Sequence, residues 1–141
     1  MKRVLVIFFA LFVQAAFAQS SISYSIKNAQ IHLGYVVYAN RCNVCHNVDQ
    51  QEIKIGPFPP IKTSSLWNGP NSSLINFILY SRPGSIHPAH NVILSPADIS
   101  NLLHYMQGSI ERKGGSPASE NEVIDEIAKK YRQCTPEAAL N

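Results

Sequence analysis

The sequence predicts an all-α domain, in which three to four main helices alternate with long loops and a helical extension follows at the carboxyl end. Apolar residues recur at helical spacing in several segments, and these segments open with residues that are typical of helix starts. The segments between them are rich in Pro and Gly, which interrupt regular helices. An α/β alternation of strands and helices is not indicated.

The first 18 residues have the pattern of a signal peptide. Lys2 and Arg3 precede an apolar run over residues 4–13, and an Ala-Phe-Ala sequence ends at Ala18. The apolar run is shorter than the roughly 20 residues that a membrane span needs. We therefore expect export to the periplasm, cleavage after Ala18 and no stable membrane span in the mature chain. An uncleaved amino-terminal anchor is the alternative.

The charge balance argues against a nucleic-acid partner. The 12 basic and 9 acidic residues give the whole chain a net charge of +3. Loss of Lys2 and Arg3 with the signal peptide leaves 10 basic and 9 acidic residues, so the mature chain is near +1. The remaining basic residues are scattered, whereas a nucleic-acid interface needs them clustered.

The first two helices are expected on either side of a long loop. Helical spacing begins near Ile31 and runs into the first cysteine segment, with Asn28 as the predicted cap. The loop over residues 48–67 contains several prolines, which forbid a regular helix. The second helix is expected to begin at Asn71 and to end before Pro83.

The third helix has the clearest start signal in the sequence. Ser95 is suited to cap it, Pro96 suits its first position, and Asp98 is an acidic residue near its amino end. An apolar face with a period of 3.6 residues follows, and Gly108 marks the expected end.

The chain divides into a domain over residues 19–110 and a linker with a carboxyl-terminal extension over residues 111–141. Gly114 lies in the linker, and the sequence from Ser119 to Glu122 has the pattern of a capping box that opens a short helix. The apolar residues of that helix are expected on one stripe: Val123, Ile124, Ile127, Ala128 and Tyr131.

The sequence Cys-Asn-Val-Cys-His, over residues 42–46, is a signature of covalent haem attachment. Two thiols one helical turn apart are able to add to the two vinyl groups of one porphyrin edge. The adjacent imidazole then binds the iron without adding charge. We predict one haem c bonded to Cys42 and Cys45, with His46 as the proximal axial ligand.

Three other uses of the two cysteines stay open. A thioredoxin-like redox pair would be expected in an α/β pattern, which the sequence lacks. A zinc site needs two more ligands at suitable spacing, and Cys134 with a distant histidine is a poor source of them. A disulfide between Cys42 and Cys45 is disfavoured because both are close together on one helix. No role for Cys134 is indicated.

Around this motif, residues 31–108 resemble class I cytochrome c, especially the small bacterial periplasmic domains with one haem. The resemblance rests on Gly34 and Tyr38 before the motif, on Pro-Pro-Ile over residues 59–61, and on the last helix with Tyr105. It implies the small cytochrome c fold, in which the glycine of the first helix lets the last helix cross closely with aromatic residues beside the contact.

The same resemblance implies roles for three loop residues. The carbonyl of Pro59 is expected to accept a hydrogen bond from His46 and so to fix its ring orientation. Pro57 is the second candidate for this role. Trp67 is a candidate to bind the cofactor by donating its indole N–H to a haem propionate, and a buried anchor of the loop is the alternative.

The sixth iron ligand is where the sequence departs from the family, which usually places a Met-Pro pair before the last helix. The chain has only Met1 and Met106, and Met106 lies on the apolar face of the last helix. His87 occupies the expected place, at the usual interval before Ser95. We predict His87 as the distal axial ligand, with His90 as the alternative, and a low potential because axial Met raises it. The remaining possibility is that neither histidine binds and the iron is five-coordinate or takes water.

Six-coordinate iron favours electron transfer over catalysis. We expect a free carrier, or the electron-accepting subunit of a periplasmic dehydrogenase, that meets redox proteins near the haem edge or the carboxyl-terminal tail. One alternative is a haem-based sensor of small ligands, or a catalytic haem subunit, from which His87 dissociates. Another is a thiol-redox or metal-binding module without haem.

Overall fold

The computed structural model of the chain describes residues 24–46, 61, 64–110 and 116–134. Four helices lie in these ranges, which contain no strand, and the prediction of an all-α fold is confirmed. The helices are α1 over residues 24–41, α2 at Asn71–Tyr80, α3 at Pro96–Ser109 and α4 at Glu120–Cys134. The predicted signal peptide, Pro57, Pro59 and linker residues 111–115 lie outside the described residues.

The start predicted for α1 is wrong. Asn28 does not cap the helix, because residues 24–30 are already helical and Asn28 is an exposed residue within it. This segment contains neither Gly nor Pro, and an Asn inside a helix costs only about 0.7 kcal/mol or less relative to Ala. The polar Asn28 is therefore too weak a signal to stop the helix from extending toward the amino terminus.

Helix α2 begins at Asn71, as predicted, although Pro70 rather than a side-chain cap stands before it. Its buried residues are spaced to give one apolar face: Leu74, Ile75, Ile78 and Leu79. The helix ends at Tyr80, and the following Ser81 has φ 60° and ψ −160°. Residues other than Gly adopt these backbone angles at a cost of about 1–3 kcal/mol.

The start of α3 forms as the sequence predicts. The Asp98 N–H donates to the Ser95 hydroxyl at 3.1 Å, and the Ser95 N–H donates to the Asp98 carboxylate at 2.9 Å. This reciprocal capping box satisfies two N–H groups that the first turn would otherwise leave without partners. Pro96 takes the first helical position, and the helix buries Ile99, Leu102, Leu103 and Met106.

Helices α1 and α3 cross in direct backbone contact at Gly34. A Cβ atom built on Gly34 would lie 1.9 Å from the Asn101 carbonyl oxygen and 2.7 Å from the Tyr105 Cβ. The rings of Tyr35 and Tyr38 each lie 5.5 Å, centroid to centroid, from the ring of Tyr105. Glycine is thus required at this crossing because there is no room for a Cβ atom, and the flanking aromatic rings fill the sides of the contact.

Helix α4 packs on both α2 and α3. Ser119 and Glu122 form the predicted capping box, since the Ser119 N–H donates to the Glu122 carboxylate at 2.8 Å and the Glu122 N–H donates to the Ser119 hydroxyl at 3.3 Å. Val123 is fully buried against the other helices. The Ser100 hydroxyl donates to the Ala118 carbonyl at 2.9 Å, which fixes the segment that leads into α4.

The apolar stripe predicted for α4 is partly wrong. Ile124 and Tyr131 are 44% and 70% exposed, whereas Glu126 is only 8% exposed. The inward face therefore runs through Val123, Glu126 and Ile127, which have the i, i+3, i+4 spacing of one helix side. Asn76 of α2 donates to the Glu126 carboxylate at 2.7 Å, and Lys129 forms an ion pair with it. These partners make the burial of a carboxylate tolerable.

We expect Gly34→Ala to lower the free energy of unfolding by about 3 kcal/mol or more, because the new methyl group meets a backbone carbonyl that cannot rotate away. Chemical denaturation of the haem-loaded protein measures the change. Gly108→Ala is the matched control, because a Cβ there meets no atom within 4 Å, and we expect it to be neutral or stabilising by about 0.5–1 kcal/mol. Equal effects of the two substitutions would contradict the packing argument.

Helix α4 should also dock less firmly in acid. The hydrogen bond from Lys129, the hydrogen bond from Asn76 and the Lys129 charge together lower the pKa of the Glu126 carboxyl. A lowered pKa in the folded state contributes stability above the unfolded value of about 4.3, and this stability is lost as pH falls through the folded pKa. Glu126→Gln should therefore flatten the acid limb of the unfolding free energy measured by urea denaturation. The exposed Glu120→Gln is the control, and identical pH profiles for wild type and Glu126→Gln would exclude this role.

Candidate functional site

The Cys-x-x-Cys-His segment forms a turn that continues α1. The Cys42 N–H donates to the Tyr38 carbonyl at 2.9 Å, as it would in a helix. The Cys42 carbonyl in turn accepts from the N–H groups of Cys45 at 3.1 Å and His46 at 2.8 Å. All three side chains are half-buried. The turn therefore holds the two thiols and the imidazole in a fixed relation to the end of α1.

A cavity of about 520 Å³ opens beside this turn. Cys42 and His46 line it on one side, and His87 and His90 line it from the loop between α2 and α3. Helices α2 and α3 and the end of the loop supply apolar side chains to it: Leu74, Phe77, Ile78, Leu94, Leu102 and Met106. Its volume lies in the range of about 300–1,000 Å³ that is typical of small-molecule and cofactor sites.

His46 and His87 face each other across part of this cavity at a distance that suits one metal ion between them. Their ring centroids are 6.2 Å apart, with an angle of 42° between the ring planes. A metal–nitrogen bond of about 2.0–2.1 Å, added to roughly 1.1 Å from ring nitrogen to ring centroid, places the centroids of two imidazoles on opposite sides of a metal about 6.2–6.4 Å apart. Direct stacking would need a much shorter separation.

Burial keeps these imidazoles in the form that binds metal. Removal from water lowers the pKa of His46. Burial, followed by the neighbouring His90 and His46, lowers the pKa of His87, and a backbone hydrogen bond to Pro88 offsets this in part. Burial and then the Arg41 charge lower the pKa of His90. All three rings are therefore neutral at neutral pH, which leaves each with a nitrogen lone pair.

The loop after α2 holds the backbone of His87 from both sides. The Ser81 hydroxyl donates to the His87 carbonyl at 2.6 Å, and the His87 N–H donates to the Ser85 hydroxyl at 3.0 Å. The Phe77 ring lies 4.4 Å from the His87 ring. The strained backbone of Ser81 therefore lies next to His87. Backbone strain of this kind clusters at functional sites.

His90 is anchored in a different way, through the last carbonyls of α2. Its N–H donates to the carbonyls of Leu79 at 3.0 Å and Ile78 at 3.2 Å. The His90 carbonyl accepts from the N–H of Leu94 at 2.9 Å. The side chain is 6% exposed, and its ring centroid lies 5.6 Å from that of His87. Sequence reasoning found both histidines, but it missed Ser81, Ser85 and Phe77, which have no motif of their own.

The environment of the two cysteines disfavours the alternatives without haem. Burial, followed by the Cys45 charge, raises the pKa of Cys42 to about 11, whereas redox-active cysteines have a lowered pKa. Cys42 and Cys45 are not disulfide-bonded. Within the described ranges, no group of three or more His, Cys, Asp or Glu side chains is arranged to hold a bare metal ion. The side chain of Cys134 lies outside what the structure describes.

An all-α fold, a Cys-x-x-Cys-His turn and an apolar cavity lined by histidines together define a c-type haem protein. The family model for cytochrome c matches residues 31–109, more than half of the chain, so the chain belongs to the cytochrome c family. Its cofactor is a covalently bound haem c. No curated protein and no solved structure was found to match the chain. No helix in the described ranges is both long and apolar enough to cross a membrane.

The residues that surround the cavity fit haem. Cys42 and Cys45 would hold its vinyl edge, His46 would bind the iron, and the apolar side chains of α2 and α3 would cover the macrocycle. Trp67, which is 1% exposed, also lines the cavity. Its hydrogen bond to a propionate stays a prediction, as does the contact of Pro59 with His46, because Pro59 lies outside the described residues.

We expect Ser81→Ala to loosen His87. The substitution removes a hydrogen bond worth about 0.5–1.5 kcal/mol but leaves the strained backbone in place. Cyanide should therefore bind the ferric protein several times faster, as followed by stopped-flow absorbance. Ser73→Ala, at an exposed position of α2, is the matched control. If Ser81→Ala binds cyanide at the wild-type rate, the Ser81 hydroxyl does not hold His87 in a position that controls access to the cavity.

Proposed function

We propose that this protein is a periplasmic electron carrier whose haem iron is held by two imidazoles, from His46 and His87. The family supports electron transfer through a covalent c-type haem. The finer proposal rests on one observation above others, the separation of 6.2 Å between the His46 and His87 rings on the cavity wall. Export is proposed from the signal-peptide pattern of the first 18 residues.

Met106 competes with His87 for the role of distal ligand, because its side chain also lines the cavity. Two features favour His87. Its ring lies at the distance from His46 that one shared metal ion requires. Its backbone is also held at both the N–H and the carbonyl by hydroxyl groups of Ser81 and Ser85. Met106 is buried in the apolar face of α3, where it packs as a core residue.

Two imidazole ligands suit electron transfer at low potential. Bound haem supplies one-electron exchange between ferric and ferrous iron. With both His46 and His87 holding the iron, no coordination position would be left for a substrate, and the apolar side chains of the cavity would surround the cofactor. Nitrogen ligands stabilise ferric iron better than a thioether does. The potential should therefore lie below that of relatives with one His and one Met ligand.

A redox partner is proposed to dock at the mouth of the cavity. Ile86, beside His87, lines the cavity and is strongly exposed. In the carboxyl-terminal extension, the inward face of α4 is occupied by α2 and α3, so a partner would meet only its outward face. A free carrier and the electron-accepting subunit of a periplasmic dehydrogenase both agree with this arrangement. A free carrier releases its partner after electron transfer, whereas a subunit stays bound to it.

A haem-based sensor of small ligands is the second candidate function. It is favoured by the position of His87 on a largely exposed loop next to the strained Ser81. In that case His87 would leave the iron on reduction, and CO would bind the ferrous protein rapidly. Slow CO binding, limited by the release of a bound side chain, supports the electron carrier instead.

The ligand set should be visible in the spectrum of the mature protein. Ferric wild type is expected to be low-spin and to lack the sulfur-to-iron charge-transfer band in near-infrared magnetic circular dichroism. Met106→Leu should give the same spectrum, because the sulfur is not a ligand. A band that disappears in Met106→Leu would assign the distal position to Met106. Mass spectrometry of the same sample should show the added mass of haem, and a mature chain without that mass would refute the cytochrome interpretation.

A further inference from the structure

We propose that His90 is a second distal ligand, which binds the iron when His87 leaves it. This inference rests on the proposed ligation by His46 and His87. The two histidines would share one coordination position, so that the iron keeps two imidazoles whichever of them is bound. We refer to His90 in this role as the reserve ligand.

His87 and His90 lie three residues apart on one loop, and both line the cavity that His46 also lines. Their ring centroids are 5.6 Å apart, with the ring planes nearly perpendicular at 80°. The two rings therefore do not stack on each other. Movement of the His90 ring over about this distance would bring it to the place that the His87 ring vacates.

The side chain of His90 is 94% buried, and its Nδ1 is a buried atom without a hydrogen-bond partner among the described residues. A buried polar group without a partner is costly, and such groups in folded proteins are mostly satisfied. An imidazole kept in this position beside a haem cavity is accounted for if its ring binds the cofactor in part of the population.

The backbones of His87 and His90 are anchored differently. The N–H of His90 is bonded to the last carbonyls of α2, at Ile78 and Leu79. The contacts of the His87 backbone come instead from Ser81 and Ser85, at the edge of an exposed loop. Opening of that loop removes the contacts of His87 and leaves those of His90 in place. His90 then remains at the cavity while His87 does not.

The exchange is balanced without any other reactant. One bond between a His87 nitrogen and iron breaks, and one bond between a His90 nitrogen and iron forms. Both ligands are neutral imidazoles, so no proton and no electron is transferred and the charge at the iron is unchanged. The reserve ligand would thus keep small molecules from the iron during loop opening, which separates a carrier from a sensor.

The test compares His87→Ala with His87→Ala/His90→Ala in the mature haem-loaded protein. We expect His87→Ala to stay low-spin with two nitrogen ligands by electron paramagnetic resonance. The double variant should become high-spin, and its ferrous form should bind CO at least tenfold faster than that of His87→Ala. His87→Ala/His32→Ala is the matched control, because His32 is an exposed residue of α1, and it should behave like His87→Ala.

The reserve ligand is refuted if His87→Ala is already high-spin and binds CO as fast as the double variant. It is also refuted if His87→Ala gains a sulfur-to-iron band, since Met106 would then have taken the position. A wild-type protein with sulfur ligation would instead refute the proposed function itself. Should His87→Ala fail to mature, His87→Leu retains bulk against Phe77 and is compared with His87→Leu/His90→Ala by the same criteria.

Discussion

The contact between the Gly34 backbone and the Asn101 carbonyl is the constraint on which the site depends. It brings α1 against α3 with no side chain between them, and the Tyr35, Tyr38 and Tyr105 rings close its flanks. The end of α1 continues directly into the turn that holds Cys42 and His46. The position of the His46 imidazole is therefore set by a helix crossing that lies outside the cavity.

The side of the cavity that carries His87 and His90 is held by other interactions. The two histidines stand on a loop without regular structure. Its backbone is hydrogen-bonded to the hydroxyl groups of Ser81 and Ser85 and to the last carbonyls of α2. The turn with Cys42 and His46 is thus fixed as a continuation of a helix, whereas His87 and His90 are fixed by hydrogen bonds of a loop backbone.

Much of the fold and part of the site could be predicted from local sequence signals. The Ser95 capping box, the start of α2 and the Cys-x-x-Cys-His turn depend on neighbouring residues, and the sequence displays those directly. The prediction of a cap at Asn28 was wrong because residues 24–27, which precede it, include no Gly or Pro that would end the helix. The inward position of Glu126 and the role of Ser81 could not be foreseen, since their partners Asn76 and His87 come close only in the folded chain.

The packing of α4 means that the family match and the folding unit end at different residues. The match stops at residue 109. Two residues on helices inside the matched range nevertheless donate hydrogen bonds beyond it, Ser100 to the Ala118 carbonyl and Asn76 to the Glu126 carboxylate. A chain cut at the family boundary would leave those groups and the apolar surface beneath Val123 facing solvent. The extension is thus an integral layer of one cooperative structure, and its melting and that of the haem domain should be a single event.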